Sequence, residues 1–306
     1  MAEFITAPLP APAALVLRGR RFDASAPAVM GIINRTPDSF YPAARYDLTD
    51  GLAAVASMLA DGADLIDVGG VRAGQQGGEV SVAAEIERVR PFLLAVRERH
   101  PDVILSVDTW RSPVAQACAE AEVDLINDTW AGADPELVAV AGAIGAGYVV
   151  THTGGLPPRT DPVAISYGTD PDAVVRDVLD TLAAGAARAV AAGVRPERVL
   201  IDPTLDFGKT TRHSLRVLRA TAAVASLGFP VLQALSRKDF IGETLDLPID
   251  QRLYGTLAAT AVAGWLGTTV LRTHDVAATR QVVDMVASIR GDRPPTVALR
   301  GEPIPD

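Results

Sequence analysis

The stretch DLIDVGGVRAGQQGGEVSVAAEIERVRPFLLAVRER, residues 64–99, shows the pattern that decides the fold. It begins with a short and almost continuously apolar run, passes through a glycine-rich segment, and ends in a longer amphipathic stretch. The first pattern is typical of a strand in a parallel sheet that is covered on both faces, and the last is typical of a helix. Residues 64–99 are therefore predicted to form one strand followed by one helix.

The same unit recurs eight times along the chain. The predicted strands are 28–34, 64–70, 103–109, 124–129, 148–153, 199–204, 230–236 and 269–274. The predicted helices are 48–61, 82–99, 113–122, 135–144, 171–192, 214–227, 251–266 and 276–289. Eight units in strict alternation indicate a closed (β/α)8 TIM barrel rather than an open doubly wound sheet. We expect an N-terminal arm with a short strand (1–25), one barrel domain (26–292) and a C-terminal tail (293–306).

Composition narrows the class of protein. The 306 residues are 48% hydrophobic, which is enough for a sizeable core, and the net charge is −9 without a basic run. This balance argues against binding to nucleic acid or to an anionic membrane. No run approaches the ~18 apolar residues of a membrane span, and the N-terminus does not resemble a signal peptide. Together with a single cysteine, Cys118, these features predict a cytoplasmic protein.

Seven of the eight predicted strands end in charged, amide or hydroxyl side chains, and the remaining one ends in Gly69 and Gly70. These polar residues are Asn34, Asp108, Asn127, Asp128, His152, Asp202, Ser236, Arg237, Lys238, Arg272 and His274. TIM barrels build their ligand sites at this end of the strands. Any one of these side chains could be a structural cap, and His152 is equally well explained that way. The whole set is better explained by a ligand.

The residue types indicate the chemistry of that ligand. One group combines carboxylate and amide acceptors with a cation: Asp108, Asn127, Asp202 and Lys238. Such a group suits a planar nitrogen heterocycle whose N–H edge donates to carboxylates while its carbonyl accepts from lysine. Arg272 and His274, two residues apart on one strand face, suit an anion such as phosphate. Asn34 could contact a metal ion or a phosphate at the same mouth.

These residues stand in segments by which the chain resembles dihydropteroate synthases over residues 28–290. The matching segments are VMGIINRTPDSF (29–40), DLIDVGG (64–70), SVDT (106–109), LINDTWAG (125–132), IDP (201–203), FGK (207–209), SRKDFIG (236–242) and RTHDV (272–276). Members of that family condense a dihydropterin carrying a hydroxymethyl pyrophosphate with p-aminobenzoate and release pyrophosphate. Magnesium stabilises the leaving group.

The resemblance also implies a role for each matching residue. The pterin ring would be held by Asp108, Asn127, Asp202, Phe207 and Lys238. Pyrophosphate would be held by Asn34, Arg272 and His274, with Mg²⁺ at Asn34. The catalytic group would comprise Asn34, Lys238, Arg272 and His274. A homodimer is also implied.

The chain departs from the family pattern in two catalytic loops. Residues 69–77 read GGVRAGQQG where the family normally reads GGESTRPGA, so Ala73, Gly74 and Gln75 replace Thr, Arg and Pro. Tyr41 and Pro42 stand where the family has Ser and Asp. We therefore expect a homologue that keeps the pterin-pyrophosphate site but has little or no synthase activity.

Three alternatives stay open at this stage. The chain could be a working synthase with rebuilt loops, in which Arg72 and Gln75 supply the missing contacts. It could use another nucleophile or pterin derivative, including a folate-linked methyl transfer. It could also be a non-catalytic regulator that binds a pterin or a partner protein.

Overall fold

A computed structural model of the chain describes residues 13–35, 48–72, 79–160 and 165–300. Its strands are β1 (Leu15–Leu17), β2 (Arg20–Phe22), β3 (Ala28–Asn34), β4 (Leu65–Gly69), β5 (Ile104–Asp108), β6 (Leu125–Asn127), β7 (Gly147–Thr151), β8 (Val199–Asp202), β9 (Leu232–Ala234) and β10 (Val270–Thr273). Its helices are α1 (Leu48–Ala60), α2 (Val82–Arg99), α3 (Ser112–Cys118), α4 (Leu137–Ile144), α5 (Ala173–Ala191), α6 (Thr211–Arg219), α7 (Thr221–Ala225), α8 (Asp239–Leu245), α9 (Leu253–Trp265) and α10 (Val276–Arg290). Within these ranges, none of the helices combines the length and apolar character needed to cross a bilayer.

The predicted TIM barrel is confirmed. Eight parallel strands follow one another in the order β8-β7-β6-β5-β4-β3-β10-β9. A parallel bridge between Ile201 and Val231 joins the two ends of this sheet, so that the barrel closes. The strand ends therefore form a single ring, and side chains far apart in sequence meet at its mouth.

Two elements were not predicted. Strand β2 is short and exposes two of its three residues, so it lacks an apolar signal. Helix α8 lies between β9 and α9 and overlaps the matching segment SRKDFIG (236–242), for which no helix was predicted. The single helix predicted over 214–227 is in fact two, because the chain turns at Ala220 between α6 and α7. The predicted arm (1–25) and tail (293–306) lie partly outside the described residues, and those domain limits stay predictions.

The bottom of the barrel is closed by apolar side chains. Each barrel strand contributes one of them: Met30, Leu65, Ile104, Leu125, Val149, Leu200, Leu232 and Val270. Leu15 and Leu17 of the β1-β2 hairpin pack against this layer from below. Arg18, in the hairpin turn, pairs with Asp124 at 2.8 Å and so fastens the hairpin to the barrel. The open end of the barrel is therefore the carboxyl end of the strands.

Candidate ligand site at the carboxyl end of the barrel

The barrel interior changes from apolar to polar within one layer. Because side chains alternate between the two faces of a strand, the residues two positions beyond the apolar layer also face inward. They are Ile32, Asp67, Ser106, Asn127, Thr151, Asp202, Ala234 and Arg272. Six of these eight are polar or charged, whereas none in the layer below is. A barrel interior with this many buried polar groups requires partners for them, from the protein or from a ligand.

A hydrogen-bonded network crosses this interior. Arg272 on β10 donates from Nε to Asp67 Oδ2 at 2.6 Å and from Nη2 to Asp108 Oδ2 at 2.8 Å. Asn127 on β6 donates from Nδ2 to the same Asp67 oxygen at 3.0 Å. The hydroxyl of Thr129 donates to the other oxygen of Asp108 at 2.5 Å. Asn127 and Arg272 are thus joined through Asp67, which sequence reasoning missed, and Asp108 joins the same network through Arg272.

Burial disfavours the ionised form of two carboxylates in the site. Burial raises the pKa of Asp108 to about 7, although the adjacent Arg272 guanidinium opposes the shift. Burial also raises the pKa of Asp202, against the attraction of Lys238. Asp202 Oδ1 accepts a hydrogen bond from the backbone N–H of Thr204 at 2.7 Å. Both groups would gain from a ligand that donates N–H groups, because such donors stabilise the ionised form.

Lys238 and an aromatic pair form the adjacent wall. The Lys238 ammonium donates to the backbone carbonyl of Leu205 and lies 4.8 Å from the centre of the Phe207 ring. The Trp130 ring meets the Phe207 ring edge-on, with the two centres 5.2 Å apart. Burial lowers the pKa of Lys238, while Asp206 and Asp202 act in the opposite direction. This wall combines apolar aromatic surface with a cationic donor, a combination that suits a heterocycle.

His274 lies on the anion side of the site. Its Nδ1 is 3.0 Å from the hydroxyl of Ser236, and it is two residues beyond Arg272 on the same strand face. Burial, reinforced by the Arg272 charge, lowers the pKa of His274 to about 4. The imidazole is therefore neutral at physiological pH and can serve an anion as a hydrogen-bond donor rather than as a cation.

The loop after β8 is held by a buried lysine. The Lys209 ammonium donates to three backbone carbonyls, those of His152 at 2.9 Å, Thr204 at 3.1 Å and Phe207 at 2.9 Å. Of the 28 Lys and Arg residues in the chain, only Lys209 and Lys238 are lysines. Both lysines of the protein therefore belong to this site or its supporting loop.

Three predicted strand-end residues face away from the site. His152 is fully buried and its Nε2 is 2.7 Å from Asp177 on α5. Asp128 accepts from the hydroxyl of Tyr148 at 2.6 Å and from loop N–H groups. Arg237 forms an ion pair of 2.9 Å with Asp275. Each has the structural role that was the alternative to ligand binding.

Of the remaining predicted residues, one lies at the mouth of the barrel and five lie outside the described residues. Asn34 ends β3 beside Gly69 of β4, at the mouth of the barrel. Tyr41, Pro42, Ala73, Gly74 and Gln75 lie outside the described residues. Within 13–35, 48–72, 79–160 and 165–300, no group of three or more His, Cys, Asp or Glu side chains is arranged to hold a metal ion.

Comparison with known proteins agrees with this geometry. Residues 30–274 match the family described as pterin binding enzyme. The chain is 52% identical to the inactive dihydropteroate synthase 2 of Mycobacterium tuberculosis, over 93% of this chain and 90% of that protein. It is 36% identical to the dihydropteroate synthase of Haemophilus influenzae, over 88% and 96% of the two chains. The structure of a Coxiella burnetii dihydropteroate synthase in complex with pteroic acid superposes with a TM-score of 0.80, at 32% identity and over 90% and 98% of the chains.

The family match covers most of the chain and includes seven barrel strands in full and most of β3. The matched segment begins within β3 and ends at His274, one residue beyond β10. The network around Arg272 and the wall around Lys238 both lie inside it. The chain therefore belongs to the family of pterin-binding enzymes.

Proposed function

We propose that this protein binds a dihydropterin carrying a pyrophosphate and has little or no dihydropteroate synthase activity. The observation that carries the proposal is the convergence of Asp108, Asn127, Asp202 and Lys238 inside one barrel mouth, with Arg272 beside them. Carboxylates and an amide oxygen would accept from the N–H edge of the pterin. Lys238 would donate to the ring carbonyl, and the Phe207 ring would support one edge of the heterocycle.

The strength of such contacts is sufficient for specific binding. Hydrogen bonds to ionised groups contribute about 1.5–3 kcal/mol each. Asp108 and Asp202 have raised pKa values, so ligand N–H groups that favour the ionised forms recover part of the cost of burying them. Arg272 and neutral His274 would bind the pyrophosphate by donated hydrogen bonds.

The synthase step is where this chain departs from its active relatives. Ala73, Gly74 and Pro42 replace the threonine, arginine and aspartate that the family pattern has at these positions. Removing one contact that acts only in the transition state costs about 10²–10³ in rate. Two altered loops together would bring turnover below detection. The 52% identity to a relative named as inactive supports a loss of synthase activity in this protein.

We also propose that Mg²⁺ accompanies the pyrophosphate. Mg²⁺ commonly takes most of its ligands from phosphates and water, with few from the protein. The described residues offer no preformed cluster of acidic ligands, and Asn34 at the end of β3 supplies an amide oxygen at the mouth. When bound, the ion would neutralise charge on the pyrophosphate. Asn34 would orient that complex against Arg272 and His274.

The test is a pair of measurements on one preparation. Purified protein is incubated with Mg²⁺, 6-hydroxymethyl-7,8-dihydropterin pyrophosphate and saturating p-aminobenzoate, and pyrophosphate release is followed. In parallel, the pterin pyrophosphate is titrated calorimetrically. We expect binding without release. Release near the common enzyme rate of about 10 s⁻¹ would refute the loss of synthase activity, and absence of binding would refute the pterin site.

A restoring variant sharpens this test. Pro42→Asp combined with Ala73→Thr, Gly74→Arg and Gln75→Pro restores the family's aspartate in the first loop and its Thr-Arg-Pro in the second. We expect pyrophosphate release to rise by at least 10², since each loop contributes that much. The control adds Lys238→Ala to the same variant, which must abolish any gained activity. A restored loop without activity would show that other positions block the reaction.

We propose that two copies of the chain associate through α9 and α10. These helices pack against each other and expose Val262, Trp265, Met285 and Ile289 on their outer faces. Helix α9 carries no charged residue over its whole length. Clustered exposed apolar residues of this kind mark contact surfaces between protein molecules. A second copy would cover the same face on both partners, as two-fold symmetry requires.

Sedimentation velocity tests the dimer. Val262→Lys with Met285→Lys is expected to convert a dimer of about twice 32.0 kDa to a monomer. Val190→Lys, an equally drastic change at an exposed apolar residue on α5, is the matched control and should leave the dimer intact. A monomeric wild type would refute the proposal.

A cytoplasmic location is also proposed. Cys118 is fully buried, and burial raises the pKa of its thiol to about 12. The protein therefore has no disulfide to gain from an oxidising compartment. Cell fractionation with a tagged full-length chain tests this, and recovery in a secreted or membrane fraction would refute it.

A further inference from the structure

Asp67 is a carboxylate in an unfavourable place. It lies in the middle of β4, two residues from the strand end, and its side chain is fully buried. Removing a carboxylate from water costs several kcal/mol unless good partners compensate. Leucine occupies the inward position just below it, at Leu65, so the barrel could have placed an apolar residue here. A role of the carboxylate in the site would explain why Asp67 is kept at this position.

Asp67 determines which way the amide of Asn127 points. A side-chain amide can present either its oxygen or its NH₂ group, but an ionised carboxylate only accepts. The hydrogen bond from Asn127 Nδ2 to Asp67 Oδ2 therefore directs the amide oxygen away from Asp67. A ligand entering the barrel meets an acceptor at this position rather than a donor.

The same oxygen also sets the orientation of Arg272. Asp67 Oδ2 takes the Nε–H, while Asp108 takes one Nη2–H, so two edges of the planar guanidinium are engaged. The planar fork then has a defined orientation in the barrel. The other oxygen of Asp67, Oδ1, has no hydrogen-bond partner among the described residues. Within that part of the chain, the side-chain hydrogen bonds that hold this carboxylate come from Asn127 and Arg272.

We infer that Asp67 is a positioning residue that couples the heterocycle half of the pocket to the anion half. An anion that draws Arg272 toward itself loosens the pair between Arg272 and Asp108, and so frees Asp108 for the ring N–H groups. The shift at Arg272 is transmitted to Asn127 through the shared oxygen of Asp67. The two ligand parts should therefore favour each other's binding. This inference rests on the proposed function.

Calorimetry with two separate ligands tests the coupling. The affinity of 6-hydroxymethyl-7,8-dihydropterin is measured with and without inorganic pyrophosphate, and the affinity of pyrophosphate with and without the pterin. In the wild type, each ligand should strengthen the other by the same factor, at least about fivefold, because coupling is reciprocal. In Asp67→Asn, the factor should fall below about twofold, with each separate affinity weakened about tenfold or more.

A matched control excludes a general effect on the barrel. Asp128 is also a buried carboxylate, but it faces the helices and accepts from the hydroxyl of Tyr148 at 2.6 Å. Asp128→Asn makes the same change of side chain outside the site and should leave the coupling factor at its wild-type value. Wild-type binding of both ligands without coupling, or equal coupling in Asp67→Asn and the wild type, would overturn the inference. Failure of the wild type to bind either ligand would instead overturn the proposed function.

A second measurement needs no variant at position 67. The Asn127 Nδ2 and Arg272 Nε protons can be followed by nuclear magnetic resonance in the wild-type protein. Pyrophosphate alone should shift both signals, since both donors share Asp67 Oδ2. A shift confined to Arg272 would overturn the coupling even if Asp67→Asn fails to fold.

Discussion

Replacing Lys209 with methionine tests the support of the loop after β8. Methionine keeps the length of the side chain but removes the donor to three backbone carbonyls, at 2.9, 3.1 and 2.9 Å. Those carbonyls belong to His152, Thr204 and Phe207, which connect β7 to the loop carrying the aromatic wall. The variant therefore removes a link between two barrel units without changing a residue assigned to the ligand.

The size of the effect follows from these bonds. Three hydrogen bonds from a charged donor are worth about 5–9 kcal/mol in total. Several kcal/mol of this is offset because the variant no longer buries an ammonium group. The net loss should be about 3 kcal/mol at pH 6.5, where Lys209 is still largely protonated in the folded chain. An unfolding entropy of about 2.1 cal/mol/K per residue over 306 residues then gives a fall in Tm of about 5 °C.

The pH dependence gives an independent check on Lys209. Burial, reinforced by Lys238, lowers the pKa of Lys209 to about 7. Between pH 7 and about 10, the unfolded chain then binds more protons than the folded chain, so this lysine makes stability rise with pH. The gap in Tm between the wild type and Lys209→Met should widen over that range. Scanning calorimetry from pH 6.5 to 9.5 measures it.

Arg176→Met serves as the control, since this cation is largely exposed and pairs with Asp170 at the surface. Its Tm should stay within about 1 °C of the wild type, as expected for a surface ion pair. A Lys209→Met protein with unchanged Tm would refute the assigned role of the three carbonyl contacts. A gap that narrows with rising pH would refute the lowered pKa.

Three further predictions concern the pocket, its loop and its floor. Because burial raises the pKa of Asp108 to about 7, the calorimetric affinity for 6-hydroxymethyl-7,8-dihydropterin should rise between pH 5.5 and 8, by up to about tenfold per unit below pH 7. The profile of Asp108→Asn should be shallower, and an equally steep profile would contradict the assignment. Thr204 has a φ of 50°, which is strained for a β-branched residue. In chemical unfolding, Thr204→Val should therefore lose about 1–2 kcal/mol more unfolding free energy than Thr204→Gly. The reverse order would contradict the strain. Leu17→Ala should cost about 2–5 kcal/mol of unfolding free energy because Leu17 is fully buried under the barrel. The control Arg21→Ala, at an exposed side chain, should cost under about 0.5 kcal/mol, and equal losses would contradict the packing.

The barrel could be predicted because its strands carry a strong and regular signal. All eight predicted strands are present, most with limits one or two residues narrower than expected, since the last polar residues already belong to loops. The β1-β2 hairpin was only half predicted because Arg20 and Arg21 are exposed in a three-residue strand. Helix α8 was not predicted because it is short and its sequence, DFIGETL, overlaps the segment that was matched to the family.

The candidate site was predicted by position at the strand ends, and this criterion does not distinguish the two faces of a strand. Counting in twos from the apolar layer places Asn127 and Asp202 inside, whereas His152 and Asp128 fall on the odd positions and face the helices. The same count finds Asp67, which the strand-end criterion misses because it lies within β4. The partners of Arg272 could not be predicted, since they depend on the closure of the barrel.

The distribution of lysine makes this protein unusual toward amine-reactive reagents. Apart from the α-amino group, its only primary amines are Lys209 and Lys238, while the other 26 of its 28 basic residues are arginines. Aldehyde cross-linkers and amine-coupled sensor surfaces should therefore attach almost solely through the N-terminus. A small acylating dye that enters the barrel meets Lys238, whose lowered pKa leaves more of the nucleophilic free base. Acylation at that position should slow when a ligand fills the pocket, so the labelling rate reports occupancy directly.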